Sequence, residues 1–360
     1  MAYYAKLTYS EMAYSVRSDT SIRIVGTGSF VPEYAVSTDV IAELVERYVP
    51  DRGAAWARQR LGILERRFAQ PLDPATGYPT GESDELALAE RAAAAALDRA
   101  GIKGGDLDGL WYVSCTQSQH QQHFSPLALS LHARLGLRPT AFALEMDAGC
   151  GGVIYAITIA MAQMRGAELE YVLVIGANMP SQYFRYWETY ARSGAWLSMY
   201  IFGDGAGAAI LGQTHGGQGG IVATYTAVDP RNALMQFSQL PTETLPLYRI
   251  DARAVAQSFG TYAREALSQI GLAFTFRLED VRRFYFHQVN AILLRSFIAK
   301  LAIPDDRVAI HVDRYGNLAS AATLVLLDED IRRGVVCEGD LCMFCVVGAG
   351  AQYGAMLVQL

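Results

Sequence analysis

The chain has 360 residues, 51% of them hydrophobic and 18% charged, with 33 glycines and 12 prolines. That composition fits a folded enzyme-sized protein and excludes a disordered or collagen-like chain. Thirty Lys and Arg against 36 Asp and Glu leave a net charge of −6, and without a basic run along the chain nucleic acid is excluded as a partner. No apolar run approaches the roughly 20 residues that a membrane helix requires, so no membrane span is expected. The opening residues MAYYAKLTYSEMAYSVRSD carry no apolar stretch followed by a cleavage site, which predicts a cytoplasmic address. At about 150 residues per domain the length allows two core-forming units or one large fused domain.

In chain order, SIRIVGTGSFVPE from Ser21 reads as a β-branched strand ending in a glycine turn. Gly26 and Gly28 after a strand suggest a dinucleotide fingerprint, but Pro32 stands where the phosphate-binding helix would run, so no cofactor is expected. A helical block covers 38–48, and an Ala- and Glu-rich helix covers 84–100 before a Gly101 stop. Residues 107–115 read as a strand, 116–126 as a polar loop, 127–135 as a helix and 141–147 as a strand. The turn AGCGG (148–152) opens directly into the apolar helix VIYAITIAMAQMRG, followed by a core strand at 171–177 and a Gly-rich hairpin and strand at 202–211. The second half replays this order: helix 252–270, strand 282–288, a helix to Leu301, strand 308–313, a helix from Ala319, and closing strands in LCMFCVVGAGAQYGAMLVQL. The alternation predicts an α/β fold. MDAGC echoes VDRYGN, and FGDGAGAAIL echoes VGAGAQYGAMLV, which predicts an extension at 1–20 and two duplicated halves at 21–212 and 213–360.

Cys150 lies between a strand and a helix, where the helix dipole favours thiolate over thiol. Two readings stay open on local sequence, a nucleophile and a buried inert cysteine. Cys115, Cys337, Cys342 and Cys345 read as core packing, and the C-x-x-C of the last pair lacks the second pair that a zinc site needs. No metal is expected. His287 ends the strand RRFYFHQ, the usual place for functional groups in an α/β sheet, whereas His311 reads as mid-strand. Asn317, in DRYGNLASA, occupies another strand-to-helix turn, where simple turn or cap chemistry is the alternative.

Together these motifs resemble the β-ketoacyl carrier-protein synthases III of the thiolase superfamily. IVGTGSFVPE, Trp56 with LGILERR, DAGCGG, FGDGAGAAIL, FHQVN, VDRYGN and GAGAQYG stand in family order from about Ser21 to Leu360. The resemblance implies a thiolase-like five-layered αβαβα fold of two duplicated halves, the first carrying the nucleophile and the second the His and Asn. It also implies a homodimer and a catalytic triad of Cys150, His287 and Asn317. Cys150 would carry an acyl group from a thioester, and His287 and Asn317 would stabilise the enolate of a malonyl or β-ketoacyl thioester in a Claisen condensation. The backbone N–H groups of Cys150 and Ala349 would form the oxyanion hole. Trp56 would stack on the substrate's coenzyme A, and Phe124 would close the acyl tunnel of the other subunit. The implied partners are acyl thioesters on acyl carrier protein, coenzyme A or both.

Two positions depart from the family. Gln182 stands where an arginine helps hold coenzyme A, which removes a phosphate-binding charge. Ile292 replaces the basic residue that faces the carrier protein, with Arg295 and Lys300 the nearest positive alternatives. The aromatic segment YFRYWETYARSGAWLSMY (183–200) is longer than in the family, and reads either as an amphipathic helix packing on its own core or as the wall of an enlarged acyl pocket. These departures favour polyketide or other secondary-metabolite biosynthesis. One alternative is an acyltransferase passing the Cys150 acyl group to an alcohol or amine, and the retained Asn317 argues against it. Another is a non-catalytic partner subunit of another synthase, against which stands the intact triad.

Overall fold

In the computed structural model, which describes residues 20–116, 126–167, 169–215, 219–232, 237–240 and 247–360, Gly26 and Gly28 sit inside the strand Thr20–Phe30, whose pairing shifts register between Ile24 and Gly26, rather than in a turn. Packing explains them. A Cβ on Gly28 would lie 2.1 Å from the Ala92 carbonyl oxygen, and one on Gly26 would lie 2.4 Å from that of Ala96. The helix Glu85–Ala100 crosses the strand there, with Ala92, Ala93 and Ala96 fully buried, so the two backbones touch only because side chains are absent. Gly28→Ala is expected to cost about 3 kcal/mol through this overlap, read as a lower denaturant midpoint at unchanged slope.

The first sheet has the strand order Thr20–Phe30, Gly205–His215, Tyr171–Asn178, Gly109–Val113, Phe142–Met146. Gly109–Val113 runs parallel to both its neighbours, and the other two pairings are antiparallel. The second sheet, among the described residues, has the order Val281–Phe286, Leu341–Val347, Gln352–Gln359, Gly220–Val228. The first sheet's strand Gly205–His215 runs on past residue 212, and the second sheet begins at Gly220. Thr20 opens the first strand.

A strand expected at 308–313 is reduced to one bridge, Phe284 to Val308. The Gln288 carboxamide oxygen accepts from the N–H groups of His311 at 3.1 Å and Val312 at 3.3 Å. Those two donors are lost to any ladder, and the chain turns into the short helix Val312–Tyr315. His311 is thus buried at a helix start, not mid-strand.

Helices cover both sheets and fill the space between them. Gly152–Ala167 touches strands of both sheets, as does Ala322–Arg332. A helix covered on two sides is apolar nearly all round, which is how VIYAITIAMAQMRG reads. Glu85–Ala100 and Pro126–Leu135 pack outside the first sheet, and Ala252–Ala273 outside the second. Ala291–Leu301 buries Leu294, Phe297 and Ile298 against the second sheet's Phe284 and Phe286. The result is the five-layered αβαβα architecture, in which each fully buried Leu, Ile or Phe contributes about 1.5–3 kcal/mol. Among the described residues no helix is long and apolar enough to cross a membrane.

A smaller cluster caps one end of this sandwich. Thr38–Glu46, Ala54–Leu61, Trp187–Arg192 and Trp196–Ile201 share one apolar core. Arg66, fully buried within it, donates from Nη1 to Val36 O at 3.0 Å and from Nη2 to Tyr200 O at 2.7 Å and Thr38 Oγ1 at 3.1 Å. Burial away from water lowers its pKa to about 9. This arginine of the LGILERR motif thereby ties the N-terminal helices to the 196–201 helix.

Candidate active site

Cys150 stands in a 3-10 turn, Gly149–Gly151, between the strand Phe142–Met146 and the helix Gly152–Ala167. Gly149 takes φ +55°, and a Cβ on Gly348, in the turn facing it, would lie 2.7 Å from Gly151 N. The two glycine turns press together, which brings the Ala349 N–H onto the Cys150 sulfur. Cys115 adjoins the same sulfur. A hydrogen bond from the Cys115 thiol, then the adjacent His287, then the Ala349 N–H hold the Cys150 thiol well below the usual thiol range, against burial that pushes it up. Cys115 itself is raised by its bond to Cys150 and by burial. Core packing was expected of Cys115, but its sulfur also lies 3.0 Å from Asn178 Oδ1 and it lines the Cys150 cleft. Cys337 is exposed beside Asp340, and only Cys342 and Cys345 are packed in the core as expected.

His287 follows the strand Val281–Phe286 with its N–H on Cys345 O at 2.8 Å, and is only 3% exposed. The rest of FHQVN is structural. Gln288 clamps the 311–312 turn as described, and Asn290 caps the helix Ala291–Leu301 by accepting from Leu293 N at 2.8 Å. Asn317 is tied to the FGDG turn, donating to Ile201 O at 2.8 Å and accepting from Gly203 N at 3.1 Å. Its Oδ1 accepts from Ala319 N at 2.9 Å, so the amide presents its N–H2 to the cleft. Asp204 of that turn accepts from Ala69 N at 2.7 Å and Ser181 N at 2.9 Å, and burial raises its pKa to about 7.

One open cleft is lined by Cys150, His287, Asn317 and Ala349, and also by Trp56, Ile292, Cys115 and Asp147. Four of the expected site residues thus converge near the sulfur, and Trp56 lies on the same cleft. Phe124 lies outside the described residues. Trp56 meets Trp196 edge-on at 5.3 Å, with the Arg52 guanidinium 5.3 Å from its ring centre. Gln182 is not part of this cleft's lining; it is 9% exposed in the turn Pro180–Tyr186. The missing arginine therefore leaves the cleft with positive charge all the same, because Arg52, Arg60 and Arg253 line it. Arg295 and Lys300 are exposed on the helix that carries Ile292.

Comparison with known proteins decides the family. The model described as 3-oxoacyl-[acyl-carrier-protein] synthase III matches residues 144–230, and the one described as its C-terminal region matches residues 273–360. The β-ketoacyl-[acyl-carrier-protein] synthase III of Syntrophomonas wolfei is 30% identical over 354 residues, covering 94% of this chain and 97% of that one. The chain belongs to the β-ketoacyl-[acyl-carrier-protein] synthase III family. It is a condensing enzyme of the transferase class with a thiolase-like fold. The crystal structure of the Aquifex aeolicus 3-oxoacyl-[acyl-carrier-protein] synthase III superimposes with a TM-score of 0.75 at 26% identity, covering 95% of this chain and all (100%) of that one. A structure of Xanthomonas campestris OleA with bound lauric acid and lauroyl-CoA superimposes with a TM-score of 0.82, covering 94% and 99% of the two chains, but at 15% identity this likeness concerns the fold alone.

Behind Cys115 the synthase has a second, smaller chamber lined mostly by apolar and aromatic side chains. The long aromatic segment forms much of it. Tyr183, Phe184, Trp187 and Tyr190 line the chamber and are each 6% exposed or less, so the segment both packs as core and walls a pocket. The segment is not one helix but a 3-10 turn, Pro180–Tyr186, followed by two short helices. Cys115, Phe202 and Tyr248 line both chamber and cleft, which makes them the partition between the two.

Sequence reading missed Glu85, buried beneath this wall. It accepts from Tyr112 OH at 3.1 Å, from Met179 N at 3.2 Å and from Thr116 Oγ1. Burial outweighs these bonds and raises its pKa from 4.5 to about 8. The folded state therefore keeps a proton that the unfolded chain releases. The resulting stability is complete below about pH 4.5 and is lost as pH rises through about 8. Asp204 adds a loss of the same sign, whereas buried His311, lowered to about 3, loses stability as pH falls below about 6.5. Glu85→Gln should remove part of the alkaline loss. Thermal melts of both proteins should show the variant gaining on the wild type between pH 5.5 and 8.5, and a constant difference would contradict the assignment.

Proposed function

We propose that the protein is a ketosynthase that forms a carbon–carbon bond by Claisen condensation of an acyl group on Cys150 with a malonyl or β-ketoacyl thioester. The Cys150 thiolate takes the acyl group from a carrier-protein or coenzyme A thioester, splitting the transfer into two easier steps. His287 and the Asn317 amide then donate to the carbonyl oxygen of the second thioester as it becomes enolate-like, stabilising charge where it develops. The N–H groups of Cys150 and Ala349 serve as the oxyanion hole for the acyl carbonyl.

The observation that carries this reading is the orientation of Asn317. With its oxygen engaged by Ala319 N–H, the amide offers donors beside a low-pKa thiol, which suits an enolate. Passing the acyl group to an alcohol or amine needs no such donor. Trp56 with Arg52, Arg60 and Arg253 suits the phosphates and adenine of coenzyme A or the phosphate of a carrier's prosthetic arm. The exposed Leu144 on the first sheet's edge strand, Phe142–Met146, supports a homodimer in which that edge is covered. The aromatic wall and the exposed Ile292 support a role in polyketide or other secondary-metabolite biosynthesis.

The test is product analysis. Protein loaded with an acyl thioester is mixed with malonyl or β-ketoacyl thioesters on coenzyme A and on carrier protein. Loss of the acyl adduct together with a carbon–carbon coupled product is expected. Transfer to an alcohol or amine without coupling would overturn the reading.

A further inference from the structure

The tail of an acyl group on Cys150 needs a place to go, and the chamber behind Cys115 has a definite chemistry. Phe68, Tyr183, Phe184, Trp187, Tyr190 and Phe202 supply most of its wall. Their rings brace one another: Phe68 meets Phe184 edge-on at 4.9 Å, and Tyr183 stacks with Tyr190 at 6.1 Å and tilts against Tyr248 at 5.4 Å. Interlocked rings of this kind make a slot of fixed shape rather than a surface that repacks around its guest.

The polar groups of the wall are already engaged. The Tyr183 and Tyr248 hydroxyls bond to each other, and the Tyr190 oxygen accepts from the Tyr248 N–H. Thr116 donates to Glu85, Cys115 to Asn178 or Cys150, Ser198 to Ala195 O at 2.6 Å and Trp187 Nε1 to Thr76 O at 3.2 Å. An oxygenated or charged tail would enter without a partner and leave its own polar groups unpaired. A saturated chain would be accepted by polarity but would lose rotor freedom in a rigid slot. A flat ring loses little, and its edge and face meet aromatic neighbours at favourable angles.

The geometry points to an arylacyl thioester as the acyl donor: an acyl group with an aromatic ring close to its carbonyl, of the cinnamoyl or phenylacetyl class, in preference to a saturated chain of equal carbon count. This rests on Cys150 being the acyl carrier. In the loading step the Cys150 thiolate attacks the thioester carbonyl, a new C–S bond forms as the old one breaks, and the donor's sulfur leaves with the electron pair and takes a proton. Nothing is oxidised or reduced.

The experiment compares single-turnover loading of the full chain by cinnamoyl-CoA and nonanoyl-CoA, read by intact-protein mass, and repeats it with the same acyl groups on a phosphopantetheinyl carrier protein. Cinnamoyl loading is expected to be roughly 10–100-fold faster, the discrimination that a few ring contacts supply. Tyr190→Leu and Phe184→Leu keep the wall apolar but remove a ring, and each should reduce that ratio by about fivefold or more. Equal or faster nonanoyl loading overturns the arylacyl assignment while leaving Cys150 as the carrier. A ratio unmoved in both folded variants overturns it as well. If neither group, nor acetyl from either carrier, forms an adduct on Cys150 of folded protein, the carrier reading itself falls, and the inference with it.

Discussion

Cys150→Ala protein will carry no acyl adduct from any thioester donor, and its condensation rate will fall by at least about 1,000-fold, the scale on which loss of a covalent nucleophile acts. Two features make the effect this large. In the proposed mechanism the sulfur is the atom that accepts the acyl group. It is also the one thiol among the described residues that its surroundings hold well below the usual range. Alkylation should show the same thing. Iodoacetamide at pH 6.5 should label Cys150 ahead of Cys115, Cys342 and Cys345, whose thiols are all pushed up. Exposed Cys337, raised by Asp340, should also lag at that pH. Intact mass and peptide mapping of the wild-type and alanine proteins measure both outcomes, and an adduct of undiminished yield on the alanine protein would remove Cys150 from the mechanism.

Asn317→Ala and His287→Ala will separate the two half-reactions. In the proposed mechanism acyl loading depends chiefly on Cys150 and the N–H groups around it, so it should persist in Asn317→Ala within a few-fold. Condensation needs donors at the second thioester's oxygen, and losing one such donor costs about 100- to 1,000-fold. His287→Ala should impair condensation to a similar degree. It should also slow loading, because His287 helps hold the Cys150 thiol low. Rates of adduct formation and of adduct consumption, measured separately, check this. Equal loss of both in Asn317→Ala would mean that the residue shapes the turn rather than serving the enolate. The turn it would shape is the one in which Ala319, two residues on, takes φ +50° and donates its N–H to Asn317 Oδ1.

Much of the layer order was legible from local pattern. Strand, turn and apolar helix around Cys150 follow from AGCGG opening into a run of small and apolar residues, and the strand end at His287 follows from FYF before a polar turn. The glycines of the first strand were misread because a glycine in a turn and a glycine under a crossing helix look identical along the chain. Only the position of Ala92 and Ala96 above Gly28 and Gly26 tells them apart. VAIHVD alternates as a strand should, yet one side chain from a distant strand end, Gln288, removes the two N–H groups that the strand would have used. Cys115 ends a strand in apolar surroundings in the manner of a core cysteine, and nothing near it in sequence reveals that Cys150 adjoins its sulfur.

The alternating α/β order, the strand–turn–helix elbow around Cys150 and the family motifs follow from local pattern alone, because hydrophobic period, turn chemistry and small-residue runs act over a few neighbouring residues. Tertiary structure decided which groups share a cleft, which carboxylates are buried, and how the aromatic segment is used. Its rings pack as core and bound a chamber at the same time, since a wall one residue thick has two faces and a linear pattern describes only one. Proximity between Cys150, His287 and Asn317 arises from two packed sheets and the turns pressed between them. Desolvation and hydrogen bonds then set the chemistry of each group according to neighbours that lie far away along the chain.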